Sequence, residues 1–347
     1  MLYAGLDLSR KRLDVHVVRE DGTMVEVTQV PPDADGLRSL ARRLEHHGEP
    51  IHAAIESMNG ARFVHDQLEL AGWDVELADA VRVKGLAPLA CKTDKIDAWV
   101  LAELCRRDLV PAIWLATPEV RADREQARWR LHLVRHRVAL KNRIHATLIA
   151  FGHPCPVSDL FGVEGRRRLD AMALPEPWRS DVTAALQLID QLDEQIDACE
   201  ATLRSTGAAD PVVPLLKTIP GVGDVLGFTI AAEIGDIHRF RSPKQLCGYS
   251  GLCPRVYQSG SSDHRGPLRK NGPTYLRWAL IEAATHAARH PAYRGRYEAT
   301  KNRLGRQRGS KVARVVIARA LCEAIWQMLT KHQAFRPAGP AKNPLAA

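Results

Sequence analysis

The sequence predicts an α/β domain at the N-terminus, a helical middle, and a mostly helical C-terminal domain. Three observations lead there. Short Val/Leu-rich runs open the chain, separated by turn-like segments. A long central stretch has apolar residues at helical spacing. Pro- and Gly-rich breaks divide 347 residues into segments, and that length fits two or three domains rather than one small core.

Residues 2–8 (LYAGLDL), 12–18 (RLDVHVV) and 24–30 (MVEVTQV) read as strands of an antiparallel meander, broken at SRK and EDG. A helix follows over about 33–46, with Leu37, Leu40 and Leu44 on one stripe. A strand at His52–Ile55 runs to Glu56, then a helix over 61–71, a strand at Asp74–Leu77 and a helix from near Asp94. Three strands, a helix, then alternating strand and helix is the order of an RNase H-like domain, here assigned to residues 1–112. Between Pro118 and Phe151 the chain reads as helix, with eight Lys/Arg in residues 119–145. Prolines 154, 156, 175 and 177 mark a break before a second helix over about 180–204. There Val182, Ala185, Ile189, Leu192, Ile196, Cys199 and Leu203 alternate at three- and four-residue steps, a three-heptad seam. Two readings stand for segment 113–206: a coiled coil joining subunits, or an amphipathic helix packed on its own domain. Thr206–Pro214 reads as a linker, residues 207–336 as a second globular unit, and 337–347 as a disordered Pro/Gly/Ala tail.

Lys plus Arg exceed Asp plus Glu by nine, which favours a polyanionic partner, since each neutralised phosphate releases counterions. No apolar stretch approaches the roughly 18–20 residues of a membrane helix, and the start runs straight into a strand pattern, so a cytoplasmic protein is expected. The seven cysteines are scattered and never spaced C-x-x-C, which argues against a disulfide framework or a zinc ribbon.

Candidate chemistry begins with acids. Asp7 follows the apolar run LYAGL, and Glu56 follows AAI. Burying such charges is costly unless something pairs with them. Asp94 and Asp97, in TDKIDAWVLAEL, share a helix face at i,i+3. If the first and fourth strands are neighbours, four carboxylates converge, and oxygen-only ligands select Mg²⁺ or Mn²⁺. Asp14 is a further acid in the second strand, assigned to the surface. In the C-terminal unit, Gly221 and Gly223 lie in a Pro-Gly-Val-Gly turn between apolar helical stretches, the pattern of a helix-hairpin-helix element whose backbone N–H groups approach a phosphate. Residues 254–273 read as a polar, basic loop carrying Arg255, Arg265, Arg269 and Lys270, leading to a helix near Thr274. Nine Lys/Arg between Arg294 and Arg319, among them Arg306, Arg308 and Lys311, make a backbone-binding surface, as do Arg121, Arg124, Arg128, Arg135, Lys141 and Arg143 on the central helix.

GLDLSRKRLDV, AIESMNG, KTDKIDAWVLAEL and the segment IPGVGDVLGFTIAAEIGDIHRFRSPKQLCGYSGLCPRVYQSGSSDHRGPLRKNGPTYLRWAL together resemble the DEDD transposases of bacterial insertion sequences, relatives of the Piv invertases. The resemblance covers nearly the whole chain. It implies a RuvC-like catalytic domain binding Mg²⁺ through Asp7, Glu56, Asp94 and Asp97, a coiled-coil dimerisation segment, and a C-terminal domain whose loop serine becomes covalently attached to DNA. It also implies a structured guide RNA that pairs with donor and target DNA, and a homo-oligomer, dimer or tetramer. The serine carries over most naturally to Ser259, with Ser261 and Ser262 close enough to keep the assignment open. The rival functions are a junction endonuclease using metal-activated water, and a non-catalytic nucleic-acid-binding protein whose acids are structural.

Overall fold

The computed structural model describes residues 1–86, 94–153, 157, 159–259, 262–269 and 271–337, with backbone alone at residues 94, 95, 263–265, 306 and 307. It divides into two compact units, Met1–Leu115 and Ala116–Ala347.

The first unit runs β1 (Leu2–Leu8), β2 (Leu13–Arg19), β3 (Met24–Val30), α1 (Ala34–Glu45), β4 (Ile51–Glu56), α2 (Ala61–Leu70), β5 (Asp74–Ala78), α3 (Ala80–Leu86) and α4 (Asp94–Arg106). The sheet order is β3-β2-β1-β4-β5, with β1, β2 and β3 antiparallel and β1, β4 and β5 parallel. Alternating side chains give the sheet two different faces. Leu2, Leu6, Leu13 and Ile55 pack against Leu37, Leu40 and Leu44 of α1 and Leu68 of α2. Each such buried leucine contributes about 1.5–3 kcal/mol. α1 starts where Asp33 accepts the Gly36 N–H at 2.8 Å, an N-cap that satisfies an otherwise orphaned donor. The opposite face is covered by α4 through Val100, Leu101 and Leu104, packed with Ala54 and Tyr3.

The second unit runs α5 (Pro118–Ala150), α6 (Val163–Ala171), α7 (Trp178–Ala209), α8 (Val213–Leu216), α9 (Asp224–Ile234), a 3₁₀ turn at Ile237–Arg239, α10 (Pro243–Tyr249), β6 (Pro254–Ser259), β7 (Ser262–Leu268), α11 (Thr274–Ala287), α12 (Pro291–Leu304) and α13 (Arg306–Lys331). α5 and α7 form an antiparallel hairpin, since Arg130 pairs with Glu200 while Arg137 pairs with Asp193. The heptad stripe faces this hairpin: Val182, Ala185 and Ile189 pack with Ile144 and Leu148 of the same chain, and Leu203 packs with Ala127. Much of the seam is therefore covered within the chain by α5, while Leu192 and Cys199 are half-buried. The expected linker over 206–214 is nearly all structured, because α7 runs to Ala209 and the Asp210 side chain holds the turn into α8 by accepting the Val212 and Val213 N–H groups at 2.7 and 2.9 Å. Leu216, Ile230, Leu246, Leu276, Leu280, Ile317 and Leu321 form the C-terminal core. No helix among the described residues is long and apolar enough to cross a membrane.

Candidate active site

On β1, Tyr3, Gly5 and Asp7 share the face turned to α4. Gly5 is required there: a β-carbon would lie 1.8 Å from the Ala98 carbonyl oxygen and 2.4 Å from the Ala102 nitrogen. The helix backbone thus rests on the strand two residues before Asp7. On β4, the pairings Tyr3↔His52 and Gly5↔Ala54 put Glu56 on the same face, one step past the last pair, Leu6↔Ile55. The direction of α4 follows from its far end. Arg106 Nη1 donates to the Glu20 carbonyl at 3.0 Å, in the turn after Arg19, which pairs with Leu2. The helix therefore ends where β1 starts, and its first turn, with Asp94 and Asp97, lies toward the ends of β1 and β4. Asp97 is half-buried, and the side chain of Asp94 is outside the described residues. Asp7 and Glu56 are also half-buried.

These groups offer only carboxylate oxygens, the donor chemistry of hard divalent cations such as Mg²⁺ or Mn²⁺. Among the described residues, no three His, Cys, Asp or Glu side chains stand close enough to hold an ion together.

Asp14 belongs to this edge and not to the surface. It is 2% exposed and lies directly across the ladder from Asp7. Its Oδ2 accepts from Arg12 Nε and its Oδ1 from Gln29 Nε2, both at 2.8 Å. Those two donors provide the partners that a buried carboxylate needs. Asp14, His16, Gln29 and Ala98 line a cavity of about 350 Å³. Burial lowers the His16 pKa, and the nearby Glu103 charge raises it in part. The clue in the sequence was the alternation Asp14, His16 within LDVHVV, whose meaning depends on pairing with β1.

Ser259 lies in the second unit, exposed at the end of β6 and opposite Ser262 in β7. Pro254–Ser259 and Ser262–Leu268 pair as a two-stranded ribbon where the composition indicated a loop. Val256↔Arg265 and Gln258↔Asp263 set the register, and Val256 and Tyr257 stay exposed. Backbone pairing forms the ribbon without an apolar face, so hydrophobic patterning did not reveal it. Ser261 and Lys270 lie outside the described residues, as does the Arg265 side chain, while Arg255 and Arg269 are exposed.

Two transposase models divide the chain between them. A DEDD transposase model of the IS110 type matches residues 4–152, and one for the IS116/IS110/IS902 transposase family matches residues 213–300. The chain belongs to this family of transposases. A probable family 20 transposase of Pseudomonas aeruginosa is 26% identical, over 96% of this chain and 98% of its own length. The transposase of insertion sequence IS1328 from Yersinia enterocolitica is 29% identical over 82% of this chain and 86% of its own length. The pilin gene-inverting protein of Moraxella bovis is 32% identical over 42% of this chain and 45% of its own length. Thermus thermophilus RuvC aligns over 33% of this chain and all of its own, at 15% identity and a TM-score of 0.24, too low to bear on the fold. The sheet order β3-β2-β1-β4-β5 is described from the chain itself.

In this transposase several cations expected at nucleic acid are engaged internally. Arg124 donates through Nε to the Ala232 carbonyl at 2.8 Å and through Nη2 to that of Glu233 at 3.0 Å. Arg128 makes a bidentate pair with Glu233, at 2.7 and 3.0 Å, and Glu233 is fully buried. Both arginines thus fasten α9 to α5. Arg135 stands over the Tyr275 ring at 5.3 Å and Lys141 over Phe161 at 4.6 Å. Arg121 is half-buried; Arg143, Arg308 and Lys311 are exposed, and the Arg306 side chain is not described. Gly221, at φ +88°, is a packing glycine: a β-carbon would meet that of His286 in α11 at 2.6 Å. Gly223 caps α9 with open space around it, and α8 before it is a single turn of four residues.

Proposed function

We propose that this transposase cuts and rejoins DNA at the ends of an insertion sequence and at its target. The supporting observation is the convergence of the β1 and β4 ends with the first turn of α4, in the region matched by the DEDD transposase model. Asp7, Glu56, Asp94 and Asp97 would hold a divalent cation, Mg²⁺ or Mn²⁺. When bound, it supplies charge neutralisation and polarises the scissile phosphodiester. Residues 1–112 then act as the catalytic domain and 207–336 as the domain that presents the nucleophile.

Ser259 is assigned as that nucleophile. Its Oγ forms a bond to phosphorus as the bond from phosphorus to a deoxyribose oxygen breaks. The serine proton passes to solvent, and the released sugar oxygen takes one up. One phosphate ester replaces another, so a later hydroxyl can reverse the step without ATP. A structured RNA selects donor and target, and the protein works in the cytoplasm as a dimer or tetramer. Because Ile189 and Ile196 are buried inside the hairpin, subunits would meet through its outer surface, where Leu188 is exposed.

The test is mass spectrometry of protease digests from trapped reactions run with Mg²⁺, DNA and RNA. A nucleotide on the Ser259 peptide, absent from Ser259→Ala and Asp7→Asn, is expected. Cleavage that persists in excess EDTA overturns the metal role. Cleavage without any adduct transfers the attack to water, and recombination by RNA-free protein removes the guide.

A further inference from the structure

The turn from β1 to β2 begins two residues after Asp7, and three of its four residues are cations. Ser9 closes it. Its N–H donates to the Arg12 carbonyl at 2.9 Å, its Oγ donates to the same carbonyl at 2.9 Å, and Oγ accepts the Arg12 N–H at 3.2 Å. The last ladder pair before it is Leu8↔Leu13, so Arg10, Lys11 and Arg12 are fixed at the edge that carries Asp7 and Asp14. Arg12 is aimed by the Asp14 contact at 2.8 Å, and Gln29 holds the other oxygen of that carboxylate. Arg10 and Lys11 are exposed and have no ion-pair partner among the described residues.

An edge bearing Asp7, Glu56, Asp14 and Asp97 repels a phosphodiester, and nucleic acid approaching it needs cations beside the acids. Guanidinium and ammonium groups on a short, hydrogen-bonded turn meet that need with little ordering cost. We propose that Arg10, Lys11 and Arg12 form a phosphate subsite that grips the DNA backbone next to the acid edge. The subsite rests on the DNA-cutting function above, and it gives the N-terminal unit a nucleic-acid contact separate from the basic helices of the second unit.

The probe is a fluorescein-labelled DNA duplex spanning one end of the element, titrated with full-length protein together with the RNA that co-purifies with it, at a series of salt concentrations. Each phosphate contact contributes about 0.9 to the slope of log affinity against log salt. Arg10→Ala/Lys11→Ala should lower that slope by about 2, so that its affinity falls about tenfold less than wild type between roughly 50 and 200 mM salt. Arg12→Ala should lower it by about 1. Arg38→Ala/Arg42→Ala removes the same charge from α1, on the opposite face of the sheet, and should leave the slope unchanged. Wild-type slope in the Arg10/Lys11 variant overturns the subsite, as does an equal fall in the α1 control. A wild type that binds no duplex overturns the DNA-cutting function together with the subsite.

Discussion

At Asp7 the backbone is enclosed: Leu6 and Leu8 are buried against one helical layer, and at Gly5 the other layer approaches to within the radius of a methyl group. At Ser259 the backbone is a ribbon strand whose last five side chains are exposed. The acids are therefore positioned by a core, and any change in how α4 sits on β1 moves them. Among the described residues the serine is positioned by pairing with β7, and an isolated two-stranded ribbon is marginally stable in water. Core packing gives the acid-bearing edge a fixed geometry before any ligand arrives. The ribbon can shift at low energetic cost.

The largest effect should come from testing that enclosure. Gly5→Val forces branched carbons into the α4 backbone and should destabilise the first unit by about 3 kcal/mol or more. Gly266→Ala is the counterpart in the ribbon, where a β-carbon meets the Arg255 β-carbon at 3.4 Å and its carbonyl oxygen at 3.9 Å, both ordinary contacts. It should change stability by less than about 0.5 kcal/mol. Thermal unfolding followed by circular dichroism checks both, and a Gly5→Val protein that melts like wild type would refute the close approach.

A smaller effect concerns what holds the ribbon-bearing unit together. Arg128→Ala leaves Glu233 buried without its cation. With Arg128 itself 36% exposed and so partly screened, the loss should be about 2–3 kcal/mol. Arg143→Ala removes an exposed charge from the same helix and should weaken DNA binding while leaving the denaturation midpoint in place. If Arg128→Ala behaves like Arg143→Ala, the buried pair is not structural.

The smallest effect is pH-dependent. Burial holds His16 below its ordinary pKa, so the unfolded chain binds the proton more readily than the folded one. The contribution is complete above the unfolded pKa, about 6.5, and is lost as pH falls through the lower folded value. His16→Gln should flatten that part of the stability profile between about pH 7 and 5. Urea midpoints measured at each pH will show it, and a variant with the wild-type slope would exclude His16 as a source.

The strands of the first sheet, α1, the two long central helices and the start of α11 were all legible in the sequence, because alternation and helical spacing are local patterns. So was the placement of Asp7 in the first strand and of Glu56 at the end of a second, since each follows an apolar run that marks a buried strand. The partners of these elements were not legible. Asp14 looked like a surface acid because its burial comes from its register against β1, which no window around residue 14 contains. Arg124 and Arg128 looked like nucleic-acid contacts because a helix of cations reads the same whether it meets phosphate or the α9 backbone and Glu233. The heptad stripe of α7 announced that it would be covered, and only the tertiary structure assigned the cover to α5. Local sequence determines which surfaces must be buried or paired. The choice of partner is a competition among distant segments, settled by the packing of the whole chain.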